Sequence, residues 1–217
     1  MGDMREPSNP RPKSRQKPNP YPNQSEEGRN SMNYSIATAP AVEPVTLADA
    51  KVHLRTITGD ASEDAAIITP LITAAPEYCE NITGRAFAAQ TIEAYPDRFA
   101  PIIELPRSPV ISVTSVVYTD ADGNETTMDA GDYLVDGKFG RIAFKKIPSF
   151  NPAILNPIKI TYTAGLESVP RTVRQAMLLL IGHWYENREA VVVGAVAAVK
   201  IELAVKNLLN QSRAWWF

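Results

Sequence analysis

Two histidines, His53 and His183, a single cysteine, Cys79, and the acidic run Asp120-Ala121-Asp122-Gly123-Asn124-Glu125 are the residues of this 217-residue chain whose types could do chemistry. Hydrolysis of the Ser-His-Asp or Cys-His kind needs a base within hydrogen-bond reach of a nucleophile, and a third group to orient the base. Each histidine falls in a stretch of helical periodicity, and no such order can be read from the spacing. An unrecognised hydrolase is therefore a remote reading. A helical histidine beside a tryptophan, as in His183-Trp184, is expected to pack or to hydrogen-bond. Cys79 lies on an apolar stripe, the setting of an inert core thiol. The acidic run lacks the glycine and closing-glutamate spacing of an EF-hand, so a hairpin turn is expected there. Asn81-Ile82-Thr83 matches a glycosylation acceptor but falls within an expected helix. With no glycine-rich phosphate loop or metal-ligand cluster, no catalytic, cofactor or metal site is expected.

What remains is interaction chemistry, and most of it lies in the stretch from Val169 to Gly194. Val173, Ala176, Met177, Leu180, Ile181 and Trp184 follow the i, i+3, i+4, i+7 pattern of a buried helical face. Pro170 suits the first turn, with Ser168 or Val169 at the cap. Leu178 and Leu179 widen the stripe, so a second side of the helix also asks for cover. Gly182 lies opposite the main stripe, where a second backbone could come close. Arg188 follows Trp184 by one turn on the same face, which makes stacking of guanidinium on indole feasible. Trp215, Trp216 and Phe217 are expected at an interface, since large aromatics are common buried anchors there.

Composition narrows the partners. Hydrophobic residues make up 44% of the chain, enough for a sizeable core, and 22 basic against 24 acidic residues give a net charge of −2. Residues 1–31 hold six of the basic and four of the acidic residues, which leaves 16 against 20, or −4, for the remainder. A protein that grips nucleic-acid backbone over a broad surface would show a basic excess. One cysteine permits no disulfide within the chain and fits a reducing cytosol. No apolar run reaches membrane-spanning length, and the polar, proline-rich start is no signal peptide, so no membrane partner is expected.

In chain order, residues 1–44 read as a proline-rich, largely disordered arm. Its first 31 residues are either an arm that orders on a partner or an upstream extension before a natural start at Met32. Residues 45–84 form a helical part. Thr46-Leu47-Ala48-Asp49 is a capping-box-like start to one helix, and a second helix runs from near Ser62 to Thr83, where Gly84 stops it. Pro70 and Pro76 inside it predict a kink or break. Residues 85–165 switch to period two, with strands expected at 91–95, 102–105, 111–118, 125–128, 133–135, 141–144 and 158–164 and turns at Asp122-Gly123 and Asp136-Gly137. In residues 166–217 the central helix is followed by a weakly patterned Val/Ala/Gly run at 191–199 and an amphipathic helix over 201–213. The expected fold is α+β, a helical bundle carrying a small inserted antiparallel β unit, with residues 45–217 as one domain.

The pieces VTLADAKVHLR, PEYCENITGRAF, DRF, IELPRSPVISVTSVVYTDADGN, ITYTAGLESVPRTVRQAMLLLIGHWYENRE and LAVKNLLNQSR, in this order and spacing, resemble the head–tail connector, or adaptor, family of long-tailed bacteriophages. The resemblance covers most of residues 45–217. It implies a non-enzymatic virion protein of the head–tail neck, made in the bacterial host cytoplasm. Such a protein joins as a homo-oligomeric ring, a dodecamer, beneath the portal protein; a tail-side stopper or tail completion protein then attaches, and DNA passes the channel without specific binding. By matching motif, Trp184, Tyr185, Asn187, Arg188 and Glu189 would organise subunit contacts, and Trp215, Trp216 and Phe217 would reach the portal. Departures are Pro70 and Pro76, the arm before Met32, and Lys200-Ile201-Glu202 where relatives tend to carry proline. The alternative of another class is a small DNA-binding or packaging-regulating factor that uses the basic arm.

Overall fold

The computed structural model describes residues 32–56, 61–187 and 195–213. Helix α1 (Leu47–Leu54) begins at a reciprocal cap. Thr46 Oγ1 accepts from the Asp49 N–H at 3.2 Å, and Asp49 Oδ2 accepts from the Thr46 N–H at 3.2 Å. The same carboxylate pairs with Arg174 at 2.5 Å. The Thr46 hydroxyl and Arg174 together hold the Asp49 carboxyl below its ordinary range.

Helix α2 (Ala61–Thr83) is one element with Pro70 and Pro76 inside it, so of the expected kink or break the break does not occur. Each proline deletes one backbone bond, yet Ile68, Ile72, Ala75 and Cys79 bury a continuous stripe that tertiary packing holds in place. Gly84, at φ 68°, closes the helix by donating its N–H to Glu80 O at 2.9 Å.

Helix α3 (Arg171–Glu186) buries Val173, Ala176, Met177, Leu180 and Ile181, the stripe read from the sequence. Its cap differs from the expectation: Pro170 itself is the N-cap, with no side-chain hydrogen bond, because its carbonyl takes the first helical bond from Arg174. What lies over Gly182 is the His53 ring of α1, 3.5 Å from where a Cβ would stand, rather than a second backbone. Helix α4 (Ala195–Asn210) begins within the Val/Ala/Gly run and sends Val205 and Leu209 into the same core.

All strand pairings are antiparallel. Strands β1 (Asn33–Thr38), β2 (Gln90–Tyr95), β8 (Ile158–Ala164), β4 (Val110–Thr119) and β5 (Glu125–Thr127) form one sheet in the order β1-β2-β8-β4-β5. A second sheet has the order β3-β7-β6, from β3 (Ile102–Glu104), β7 (Arg141–Phe144) and β6 (Tyr133–Asp136). Both sheets feed one core that includes Ile92, Ile103, Val116, Ile142, Phe144 and Tyr162. The fold is α+β, but the β part is no small insert. It is two sheets with a core of its own, beside a helical core built from α1 to α4.

Strand β1 corrects the boundary of the arm, since it lies within residues assigned to it. All six of its residues are exposed, so it carries no burial alternation for a sequence reading to detect. It exists because the edge of β2 offers backbone partners, from Asn33 opposite Tyr95 to Ile36 opposite Ile92. The acidic run is the β4–β5 hairpin turn, in which Asp120 Oδ1 accepts the N–H groups of Asp122 and Asn124, each at 2.9 Å.

Cys79 is fully buried, and burial, then the neighbouring Glu80 charge, pushes its thiol up to about 12. Little thiolate exists near pH 8, so native protein will resist Ellman's reagent and react fully once denatured in guanidinium. Rapid labelling of native protein would show that this part of the core opens readily.

Candidate functional site

The residues matched to the connector motif cluster at the C-terminal end of α3, where the last turn runs beside α2. Trp184 meets the Tyr78 ring edge-on, with centroids 5.9 Å apart and planes at 87°. Tyr185 donates its hydroxyl to Asp64 Oδ1 at 3.1 Å. Asn187 closes the helix twice over, with its backbone N–H at 3.0 Å and its Nδ2 at 2.9 Å from His183 O. The same amide also lies 3.1 Å from His183 Nδ1. Within one chain, then, Trp184 and Tyr185 fasten α3 to α2, and His183 is occupied by a cap. Both aromatics remain half-buried. Arg188, Glu189, Trp215, Trp216 and Phe217 lie outside the described residues, and so does the stacking of Arg188 on Trp184.

His53 rests on α3 at Gly182. Among the described residues no group of three histidines, cysteines or carboxylates could hold a metal ion.

A second constellation is one that sequence reasoning missed. Glu80, on the last turn of α2, and Arg107, in the β3–β4 connection, are 5% and 4% exposed and form an ion pair at 3.3 Å. Each remaining polar atom is engaged. Glu80 Oε1 accepts from the Phe87 N–H at 2.7 Å, and Gln90 Nε2 donates to both carboxylate oxygens at 3.1 and 2.9 Å. Arg107 donates Nε to the Tyr34 hydroxyl at 3.0 Å and Nη2 to Asn81 Oδ1. The guanidinium carbon also stands 5.6 Å from the centre of the Tyr34 ring. Glu43 feels the cluster from outside: its own burial, then the Glu80 charge, raises its carboxyl. One pair thus binds α2, β2, the β3–β4 connection and the edge strand β1. The sequence held a single signal for it, in that both residues fall inside pieces that carry the family resemblance, CENITGRAF and PRSP.

With this geometry in view, the comparisons decide the family. Residues 46–197 match the model of the head completion protein family, described as "Head completion protein". That span is well over half of the chain.

This chain belongs to the head completion protein family.

It is accordingly a structural virion protein, not an enzyme, and it connects the head of a phage-like particle to the tail. Solved structures agree in fold. A chain in the neck of an empty gene transfer agent particle, computed with C6 symmetry, is 28% identical, with a TM-score of 0.64 over 83% of this chain and 95% of that one. A chain in the virion of the native gene transfer agent is 26% identical, with a TM-score of 0.61 over 83% and 94%. A third, in the native neck computed with C12 symmetry, is 25% identical, with a TM-score of 0.60 over 83% and 94%. No curated protein sequence matches this chain.

Removing one partner of a buried, fully bonded pair strands the other, at a cost of about 3–5 kcal/mol. Arg107→Ala is therefore expected to lower the free energy of unfolding by about that amount in urea titrations. A loss below about 1 kcal/mol would mean that water replaces the guanidinium and that the pair does not hold the junction.

Proposed function

We propose that this protein occupies the neck of its particle as a closed homo-oligomeric ring, a dodecamer in the family reading. One side of the ring seats on the portal protein, and the other receives a tail-side stopper or tail completion protein. The observation that carries this reading is the likeness, over 83% of this chain, to 95% of a chain in the neck of a gene transfer agent. Related neck chains occur in assemblies computed with sixfold and twelvefold symmetry. Negative-stain images of the purified protein, alone and with portal-bearing heads, test it. Rings of uniform diameter on portal vertices support the proposal, and a strictly monomeric protein that never joins heads overturns it.

The channel of such a ring conducts DNA without gripping it. Residues 32–217 carry a net charge of −4, and like charge opposes a polyanion wherever salt does not screen it. Negligible duplex binding is expected in gel shifts of residues 32–217 at physiological salt. Tight, salt-sensitive binding by the full chain that disappears on removing residues 1–31 would favour a DNA-binding factor instead.

Trp184, Tyr185, Asn187, Arg188 and Glu189 supply subunit contacts in this reading, and Trp215, Trp216 and Phe217 supply the portal anchor. Three large aromatics left in water would forgo several kcal/mol at about 25 cal/mol per Å² of apolar surface. Deleting residues 215–217 should leave thermal stability nearly unchanged and abolish attachment to portal-bearing heads. Unfolding of the isolated subunit would assign the aromatics to its own core, and unimpaired attachment would remove them from the docking surface.

A further inference from the structure

Strand β1 forms one end of the five-stranded sheet, and none of its six residues belongs to either core. Its pairing with β2 runs from Asn33 opposite Tyr95 to Ile36 opposite Ile92, then slips at a bulge before Thr38 meets Thr91. Side chains add few ties. Met32, just ahead of the strand, packs half-buried against the sheet core, and Ser35 stands beside the Tyr95 hydroxyl. Beyond the strand the chain is next fully buried at Val45, in the helical core. The residues between include Pro40 and Pro44, and Val42 is 77% exposed.

Tyr34 ties this strand to the Glu80–Arg107 pair. Its hydroxyl accepts from Arg107 Nε at 3.0 Å, and its ring centre lies 5.6 Å from the guanidinium carbon. The other partners of the pair stand where the two cores hold them: Asn81 on α2, Phe87 on the exit from α2, and Gln90 on β2. Local opening costs least where few apolar contacts break, so β1 can leave at far lower cost than β2 or β8. What departs with it is the cover over one side of Arg107, which is 4% exposed while Tyr34 is in place.

We propose that β1 is a releasable strap over the Glu80–Arg107 pair, which lifts from β2 while both cores stay folded and so admits water to Arg107 Nε. Seated, the strap keeps the pair dry and its bonds directional. Lifted, it leaves the β2 edge and the guanidinium to water, which competes for the same bonds. The strap thereby sets how firmly the helices are aligned on the sheets.

Native-state hydrogen exchange of the full chain, followed by NMR, tests this. The amides of Asn33–Thr38 that bond to β2 should exchange on the order of a hundredfold faster than those of β8, at a rate that low guanidinium hardly changes. The Arg107 Nε–H should exchange through the same opening. Ser35→Cys combined with Glu93→Cys locks the strap, since these residues are opposed across the strands, where Cα atoms lie within disulfide reach, and Cys79 is buried. Once oxidised, the double variant should slow both β1 and the Arg107 Nε–H to the rate of β8. Tyr34→Phe keeps the ring and removes the accepting oxygen, and should speed β1 exchange roughly two- to tenfold. Exchange of β1 no faster than that of β8 overturns the proposal. So does an Arg107 Nε–H that the oxidised lock leaves unchanged, or a Tyr34→Phe variant whose β1 exchange matches the wild type.

Discussion

The pair between Glu80 and Arg107 is the constraint on which the arrangement of this protein depends. Two hydrophobic cores, one helical and one between the sheets, have no intrinsic reason to adopt a fixed relative placement, because apolar packing is not directional. A buried ion pair with every polar atom engaged is directional. Glu80 belongs to the last turn of α2, and Arg107 to the connection that feeds β4. Gln90 brings in β2, and Tyr34 brings in β1. Arg107 also adopts φ 59°, a conformation that costs a non-glycine residue about 1–3 kcal/mol and persists only where surroundings over-determine it. Against an apolar pair of the same shape, such a pair contributes little net stability, since desolvation consumes most of the attraction. What it supplies is a single alignment of helices against sheets.

Close approach of backbones at the same junction reinforces that alignment. A Cβ on Gly165, which follows β8 at φ 151°, would stand 2.7 Å from the carbonyl group of Ala88. The turn into the central helix can therefore lie directly on the segment that leaves α2. The Tyr162 hydroxyl donates to Pro106 O at 2.5 Å, and burial pushes its phenol far above the ordinary range. The residues flanking Arg107 are tied down from the sheet as well as from the helix.

Sequence periodicity made most of the elements legible because each of those signals is local. Thr46 and Asp49 are three residues apart, Gly84 ends a stripe, and β8 alternates buried and half-buried residues along its whole length. What was hidden was non-local. Strand β1 shows no alternation of buried and exposed residues, so only its partner defines it. Glu80 and Arg107 are separated by 27 residues, and each looks like an ordinary surface charge until the fold closes over it. Pro70 and Pro76 predicted a kink or break, and the break is absent because tertiary packing overrides local propensity. At the candidate site, the helical period singled out Trp184, and the family motif added Tyr185 and Asn187. Neither could say that Trp184 reaches Tyr78 or that Tyr185 reaches Asp64, 121 residues away.

Those intrachain contacts bear on how a ring could be divided into its parts. Trp184 and Tyr185 each commit one edge or hydroxyl to α2, and Asn187 is spent on the helix end. The end of α3 is therefore tied to its own subunit, with both aromatic rings half-buried. A closed ring also needs two unlike surfaces on every subunit, one to give and one to receive. On the β side, Leu155 and the Ile102–Leu134 row stand exposed. Because Glu80 and Arg107 fix the helices against the sheets, a contact made by the β unit also sets the orientation of the α3 end. That coupling gives the whole subunit one internal geometry.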